Sequence, residues 1–308
     1  MENTRAKTTR NSLILLLTAT IWGMAFVSQS KGMDYMHPFT FNGVRSLIGA
    51  AGILVYILIS RKIAGDKAAK LDWKLNVRAG LLCGVFLTIA STLQQFGIKY
   101  TSVGKAGFIT TLYIIFVPMF GIFLKKKVAP VVWAAAGMAA VGMYLLCMTE
   151  SLRLGAGDIM VFLCAIAFAI QIMTVDHYAA RIDGAVVSCI QFTVCGVVCC
   201  IGALIWGQPT FGQIQEGLGA LLYAGVLSCG VGYTLQIVGQ KGLNPTVAAL
   251  IMSLESVIAT ISGWIAYKIG FLSTDQTLTP RQIAGCVIVF AAVILVQLPP
   301  EWFRFGKK

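Results

Sequence analysis

The sequence contains few charged residues. Asp, Glu, Lys and Arg make up 12% of its 308 residues, whereas a soluble domain has about 25%. It has two histidines, and its nine cysteines follow no spacing typical of a zinc site or a disulfide framework. The scarcity of charge excludes an ordinary soluble domain, and the histidines and cysteines give no reason to expect a bound metal.

Sequence motifs of soluble enzymes are also missing. There is no Walker loop for ATP, no catalytic triad signature and no glycine-rich loop for a dinucleotide. Lys and Arg outnumber Asp and Glu by 24 to 12, but the basic residues lie between apolar runs and form no single patch. We therefore expect neither a soluble enzyme nor a nucleic-acid-binding protein.

Long apolar runs dominate the chain. Hydrophobic residues make up 57% of the sequence, and the mean hydropathy is +0.82. A helix of about 20 apolar residues crosses a hydrocarbon core of about 30 Å. The pattern predicts an all-α polytopic membrane protein with ten transmembrane helices, at residues 12–30, 38–60, 77–98, 104–124, 129–148, 157–177, 185–206, 217–239, 245–267 and 281–299.

The distribution of Lys and Arg predicts the orientation. If the N-terminus is inside, most of the 24 basic residues lie in the inner segments, including the run Lys125, Lys126 and Lys127. Cytoplasmic loops of membrane proteins carry such an excess. We expect both termini in the cytoplasm, in a bacterial-type cell (inner) membrane, with the lipid bilayer as the surrounding partner.

Two segments of the chain resemble each other. "LQQFGIKYTSVGKAGFITTLY" (93–113) and "LQIVGQKGLNPTVAALIMSLE" (235–255) share several identities at a constant offset of 142 residues, such as Gln94 with Gln236. The offset predicts two five-helix repeats, at residues 1–150 and 151–308. Because five is odd, the second repeat is inverted, as in many secondary transporters with a midplane substrate site.

Four motifs resemble those of the EamA family in the drug/metabolite transporter superfamily. They are "LLTATIWGMAFV" (16–27), "PFTFNGVRSLIGA" (38–50), "YTSVGKAGFITTLYIIFVPMFGIFLKKK" (100–127) and "GLNPTVAALIMSLESVIATISGW" (242–264). The resemblance implies a ten-helix carrier of small metabolites, often an exporter. It also implies a central cavity lined mainly by the first, third, fourth, sixth, eighth and ninth helices.

The ninth helix departs from the family pattern. The family usually has leucine, glutamate and proline there, whereas Ser256 follows Glu255 in this sequence. We therefore expect the proline kink beside the glutamate to be absent. Pro118 is the candidate for breaking the fourth helix instead.

Glu255 is the main candidate for a functional residue. It follows Pro245 by ten residues, or about 15 Å of helix, which is half the depth of the hydrocarbon core. A charge there costs about 3 kcal/mol to insert, so the side chain should face the bundle interior. The functional interpretation is a site for a substrate cation or a proton, with Tyr113 as its repeat equivalent. The alternative is a carboxyl group that packs against helix 8 or 10.

Arg45 is the second charge within a predicted helix. It could neutralise Glu255, bind an anionic group of a substrate, or extend towards the membrane surface as an anchor. Other cavity candidates are aromatic and amide side chains, for which helix packing is the alternative role. Trp22 and Tyr113 are proposed as aromatic walls, and the remaining candidates are Gln95, Phe168, Gln171 and Tyr233.

Together these features predict a secondary active transporter of small organic metabolites such as amino acids or amines, with export favoured by the family resemblance. It is expected to use alternating access, with no cofactor and with proton coupling through Glu255 as an option. The alternative is a proton-coupled or facilitative importer of a small neutral or cationic metabolite. An intramembrane enzyme and a channel are more distant alternatives.

Overall fold

Helices are the only regular elements in the described part of the chain. The computed structural model describes residues 2–65, 71–124, 129–147, 155–273 and 276–297. Within them, eight helical spans are long and apolar enough to cross a membrane. Two further apolar helices are shorter, Pro130–Gly142 and Pro280–Leu295. The all-helical polytopic prediction is confirmed.

The helices follow the predicted spans closely, with edges that move by a few residues. Two π-helical segments, Ala203–Gly207 and Tyr223–Gly232, continue α8 and join α10 to α11. The α-helices are α1 Glu2–Gly32, α2 Pro38–Ala64, α3 Trp73–Ile98, α4 Val103–Thr111, α5 Tyr113–Phe123, α6 Pro130–Cys147, α7 Ala156–Tyr178, α8 Gly184–Gly202, α9 Phe211–Glu216, α10 Leu218–Leu222, α11 Tyr233–Gln240, α12 Pro245–Met252, α13 Leu254–Lys268 and α14 Pro280–Gln297.

Local capping residues determine where several helices begin. His37 precedes Pro38 at the start of α2, and its ring accepts a hydrogen bond from the Phe39 amide. The Asn244 side chain likewise accepts from the amide of Thr246, one residue into α12. Proline costs nothing at these first positions because the missing N–H would have no helical partner.

The fourth and ninth predicted spans are each divided by a short turn at mid-depth. The turn residues are Leu112, between α4 and α5, and Ser253, between α12 and α13. The expectation that Pro118 breaks the fourth helix is wrong, since α5 continues through it from Tyr113 to Phe123.

Hydroxyl groups accompany both breaks. Thr111 donates a hydrogen bond to the carbonyl of Phe108 (2.9 Å), and Ser253 donates to the carbonyl of Leu250 (2.7 Å). Such bonds to the preceding turn compete with regular helical hydrogen bonds and bend helices. Thr111 and Ser253 are 142 residues apart, so the same device occurs at equivalent repeat positions. A hydroxyl thus stands where the family pattern suggested a proline kink.

The outer surface of the bundle is apolar. Large hydrophobic side chains such as Leu54, Leu204 and Val287 are exposed on α2, the first π-helical segment and α14. In water such a surface would be unfavourable, whereas lipid tails solvate it without cost. Interior packing relies on small and medium side chains, which allow the helices to approach closely.

Glycines allow α3 and α7 to touch. A Cβ atom on Gly97 would lie 2.9 Å from the carbonyl oxygen of Gly157, and a Cβ on Gly157 would lie 2.9 Å from that of Gly97. Close to this crossing, the Lys105 ammonium forms an ion pair with Asp158 at 2.6 Å. Thr101 donates a further hydrogen bond to the same carboxyl group (2.9 Å), which joins α4 to the start of α7.

The glycine contact yields a test of this packing. Gly97→Leu should lower the melting temperature of the purified protein in detergent, because overpacking a close contact costs about 1–3 kcal/mol. Gly52→Leu is the matched control, since Gly52 is also helical but a Cβ added to it would have no atom within 4 Å. Equal melting temperatures for the two variants would contradict the contact between α3 and α7.

Candidate functional site

One cavity lies at the centre of the helix bundle. It is bounded by α1, α2, α3, α4, α5, α7, α11, α13 and the second π-helical segment, and about 30 Å³ of it is free. That volume accommodates a few water molecules at most. The polar and aromatic residues that line it are Trp22, Gln29, Arg45, Gln94, Thr110, Tyr113, Phe168, Gln171, Ser228, Tyr233, Gln236 and Glu255.

The cavity contains every predicted site residue except Gln95. That side chain is fully buried and donates a hydrogen bond to the carbonyl of Gln29 (3.2 Å), away from the cavity. Its neighbour Gln94 lines the cavity and donates to the hydroxyl of Thr110 (3.2 Å). Consecutive residues point about 100° apart around a helix, so only one of the two can face inward.

Glu255 and Tyr113 meet across the two repeats. The phenol of Tyr113 donates a hydrogen bond to the carboxyl group of Glu255 at 3.0 Å, and the two side chains are 2% and 4% exposed. The suggested packing of Glu255 against helix 8 or 10 gives way to this bond with α5. Because Ser253 ends α12, Glu255 lies in the first turn of α13, where the helix dipole favours a negative group.

Arg45 lines the same cavity without a partner of its own. It is 5% exposed, and its Nε atom has no hydrogen-bond acceptor. Its guanidinium carbon lies 5.4 Å from the centre of the Phe41 ring, which is a cation–π distance. The ion pairs found in the described residues are Lys31–Asp34 and Lys105–Asp158, so Arg45 and Glu255 are not within 4.0 Å of each other.

Aromatic rings form one wall of the cavity. The ring centres of Trp22 and Tyr233 are 4.5 Å apart, and Phe192 packs its edge on Tyr233 from behind at 5.0 Å. The indole N–H of Trp22 is buried and has no acceptor. Gly232 leaves the space for this indole, because a Cβ there would lie 2.7 Å from its nitrogen.

Two glutamines form a pair in the cavity. Gln236 donates a hydrogen bond to the side-chain oxygen of Gln171 at 3.2 Å. The bond leaves the Gln171 nitrogen and the Gln236 oxygen unpartnered, and the Gln29 side-chain oxygen is unpartnered as well. The sequence interpretation missed Gln29, Gln94 and Gln236 as cavity residues. The identity of Gln94 and Gln236 at the repeat offset was a signal for two of them.

Nothing in the described ranges suggests a metal centre, since no three His, Cys, Asp or Glu residues are grouped so as to hold an ion. The polar groups of the cavity instead suit a small organic molecule. They comprise one carboxyl group, one guanidinium, unpartnered amide and indole atoms, and an aromatic wall.

Comparison with known proteins gives a consistent result. A family model described as the EamA-like transporter family matches the chain twice, at residues 10–148 and 155–298. An uncharacterized transporter of Archaeoglobus fulgidus is 27% identical over 290 residues, which cover 92% of this chain and 84% of that protein. The uncharacterized transporter YwfM of Bacillus subtilis is 24% identical over 295 residues, which cover 94% of each chain.

A solved crystal structure shares the fold. It superposes with a TM-score of 0.74 at 16% sequence identity, and the match covers 96% of this chain and 99% of the other. Similarity at this level of identity concerns the arrangement of the helices alone.

The bond between Tyr113 and Glu255 can be tested with a double-mutant cycle. A hydrogen bond to a charged group contributes about 1.5–3 kcal/mol, so Tyr113→Phe should destabilise the wild type. The same change should cost clearly less in a Glu255→Met background, where no acceptor remains. Melting temperatures of the four proteins in detergent give the coupling.

Tyr223→Phe provides the control for this cycle. Its hydroxyl also donates a hydrogen bond, but to the carbonyl of Ile21 (3.2 Å). Its effect should therefore add to that of Glu255→Met. Simple additivity for Tyr113→Phe as well would show that the two side chains do not interact.

Proposed function

Because the chain belongs to the EamA-like transporter family, we propose that it is a secondary active transporter that exports small organic metabolites such as amino acids or amines. Its family and its relatives identify it as a membrane transporter and not as an enzyme. The partners that follow from the family are a small-molecule substrate and the lipid bilayer.

The observation that carries the proposal is Glu255 in the central cavity. The carboxyl group is 4% exposed and bonded to Tyr113, and no cationic side chain of the described residues lies within 4.0 Å of it. Ionisable groups inside a membrane are expensive, and they mark pathways of substrates or protons. A substrate ammonium or a proton would neutralise the carboxylate.

An inverted repeat would supply the alternating access. Helix α4 begins at Val103 and α12 at Pro245, and the turns after Thr111 and Ser253 keep the same offset of 142 residues. We propose that residues 1–150 and 151–308 form the two inverted five-helix halves, with α6 and α14 as the last helix of each. Because only about 30 Å³ of the cavity is free, a metabolite could enter or leave only when helices of the two halves separate.

The proposed location is a bacterial-type plasma membrane with both termini in the cytoplasm. The excess of Lys and Arg in the segments on the N-terminal side supports this orientation. Export follows the family resemblance alone. A second candidate is proton-coupled or facilitative import of a neutral or cationic metabolite, and it is favoured by a Glu255 carboxyl group that a proton alone could neutralise.

Transport can be tested with purified protein in liposomes that contain a pH-sensitive dye. Amino acids, polyamines, quaternary amines and neutral metabolites would be added in turn to wild type and to Glu255→Gln. We expect a substrate-dependent flux in the wild type that falls at least about tenfold in the variant, since a charged contact of over 1.4 kcal/mol is lost. Glu216→Gln removes an exposed acid on α9 and should transport as wild type does.

The form of the loss identifies the role of Glu255. Loss of proton movement with retained substrate binding would assign it to coupling, whereas loss of binding restricted to cationic compounds would assign it to the substrate. If Glu255→Gln transports like wild type, the carboxyl group only packs helices. No flux of any compound through the wild type would contradict the transporter proposal for these substrates.

A further inference from the structure

We propose that the cavity binds a zwitterion, with Arg45 holding the carboxylate of a free amino acid and Glu255 holding its ammonium group. The inference rests on the proposed function and narrows its substrate class from amino acids or amines to molecules that carry both charges. It depends on two side chains of opposite charge that line one cavity without forming an ion pair.

The guanidinium of Arg45 is the less satisfied of the two groups. It is 5% exposed, its Nε has no acceptor, and the hydrogen bonds of the described chain include none from its side chain. Its one favourable contact is the face of the Phe41 ring. A buried guanidinium that lacks an anion is unfavourable, and an anionic ligand that enters the cavity would remove that cost. The planar fork of an arginine matches the two oxygens of a carboxylate.

The depths of the two charges suit a short molecule. Glu255 lies about 15 Å of helix from Pro245, and Arg45 lies about 10 Å from Pro38. With ten crossings, these two prolines lie at opposite faces of a hydrocarbon core of about 30 Å. The Cα atoms of the two residues therefore differ by about 5 Å in depth. The ammonium and carboxylate of an α-amino acid are separated by a single carbon, which fits between two charged groups at such a spacing.

Molecules with a single charge fit less well. An amine would neutralise Glu255 but would add a second cation to a cavity that already contains the unpaired Arg45. A carboxylate would pair with Arg45 but would face the carboxyl group of Glu255. Only a ligand with both charges compensates each side chain with an opposite charge, and like-charge contacts in a low dielectric are strongly unfavourable.

The neutral atoms of the cavity serve the same ligand. Unpartnered donors are present at the Trp22 indole and the Gln171 amide nitrogen, and unpartnered acceptors are present at the Gln29 and Gln236 amide oxygens. Donors complement a carboxylate, and acceptors complement an ammonium group. Buried atoms of this kind are costly when unpaired, so a ligand that pairs them gains affinity and selectivity.

The test uses the full-length protein in detergent and in liposomes. Each of the twenty L-amino acids would first be screened for a thermal shift. An amino acid that binds would then be compared with its carboxamide, which keeps the ammonium group, and with its N-acetyl derivative, which keeps the carboxylate. We expect each derivative to bind at least about tenfold more weakly than the parent amino acid, because each loses one charged contact.

Arg45→Met separates a role in recognition from a role in folding. The variant should lose the preference for the amino acid over its carboxamide, because no cation remains to distinguish a carboxylate from an amide. Arg45→Lys should keep that preference in weaker form and covers the case in which Arg45→Met fails to fold. Arg78→Met removes an exposed arginine of α3 and should keep the full preference.

The outcomes distinguish this inference from the broader function. If the carboxamide binds and is transported as well as the amino acid, the zwitterion proposal is wrong, while transport of amines stands. If Arg45→Met or Arg45→Lys retains the wild-type preference, Arg45 is not the carboxylate site. If liposomes show no flux of any amino acid, amine or neutral metabolite, the transporter proposal itself fails.

Discussion

The hydrocarbon interior of a membrane offers no hydrogen bonds, and this constraint governs the whole molecule. Backbone groups are satisfied within helices. Hydroxyl groups are satisfied in the same way, by donation to the carbonyl one turn earlier. This bond is made by Thr18, Thr20, Thr88, Thr174, Thr193, Thr234 and Thr260. Arg45, Trp22 and the cavity glutamines depart from this economy, and they share one cavity. Gln191 and Gln240 are also unpartnered, away from it.

The same constraint explains why the spans could be predicted from the sequence. An apolar run long enough to cross the bilayer has few alternatives to a helix, and residues such as His37 and Asn244 cap helices through purely local contacts. The π-helical geometry of Tyr223–Gly232 was not predictable. It occurs where α2 packs against this segment, and a Cβ on Gly225 would lie 2.9 Å from the Arg45 carbonyl. Such a contact depends on residues far apart in the chain.

The site was predictable to the extent that the repeat revealed it. The offset of 142 residues placed Tyr113 opposite Glu255, and the structure joins them by a hydrogen bond. The choice of Gln95 over Gln94 required the rotation of α3 about its axis, which span edges do not define to within one residue. The break at Ser253 was hidden for a related reason. A serine bends a helix only when its hydroxyl bonds to the preceding turn, and sequence alone does not reveal that rotamer.

The ion pair near the crossing of α3 and α7 has a consequence for leakage. Lys105 belongs to the first segment that matches the family, and Asp158 belongs to the second. One carboxyl group, 4% exposed, holds both Lys105 and Thr101, so separating α4 from α7 breaks both contacts in the same event. Groups coupled in this way in a low dielectric open together or remain closed. A half-open passage through which ions could slip is therefore disfavoured at this end of the molecule.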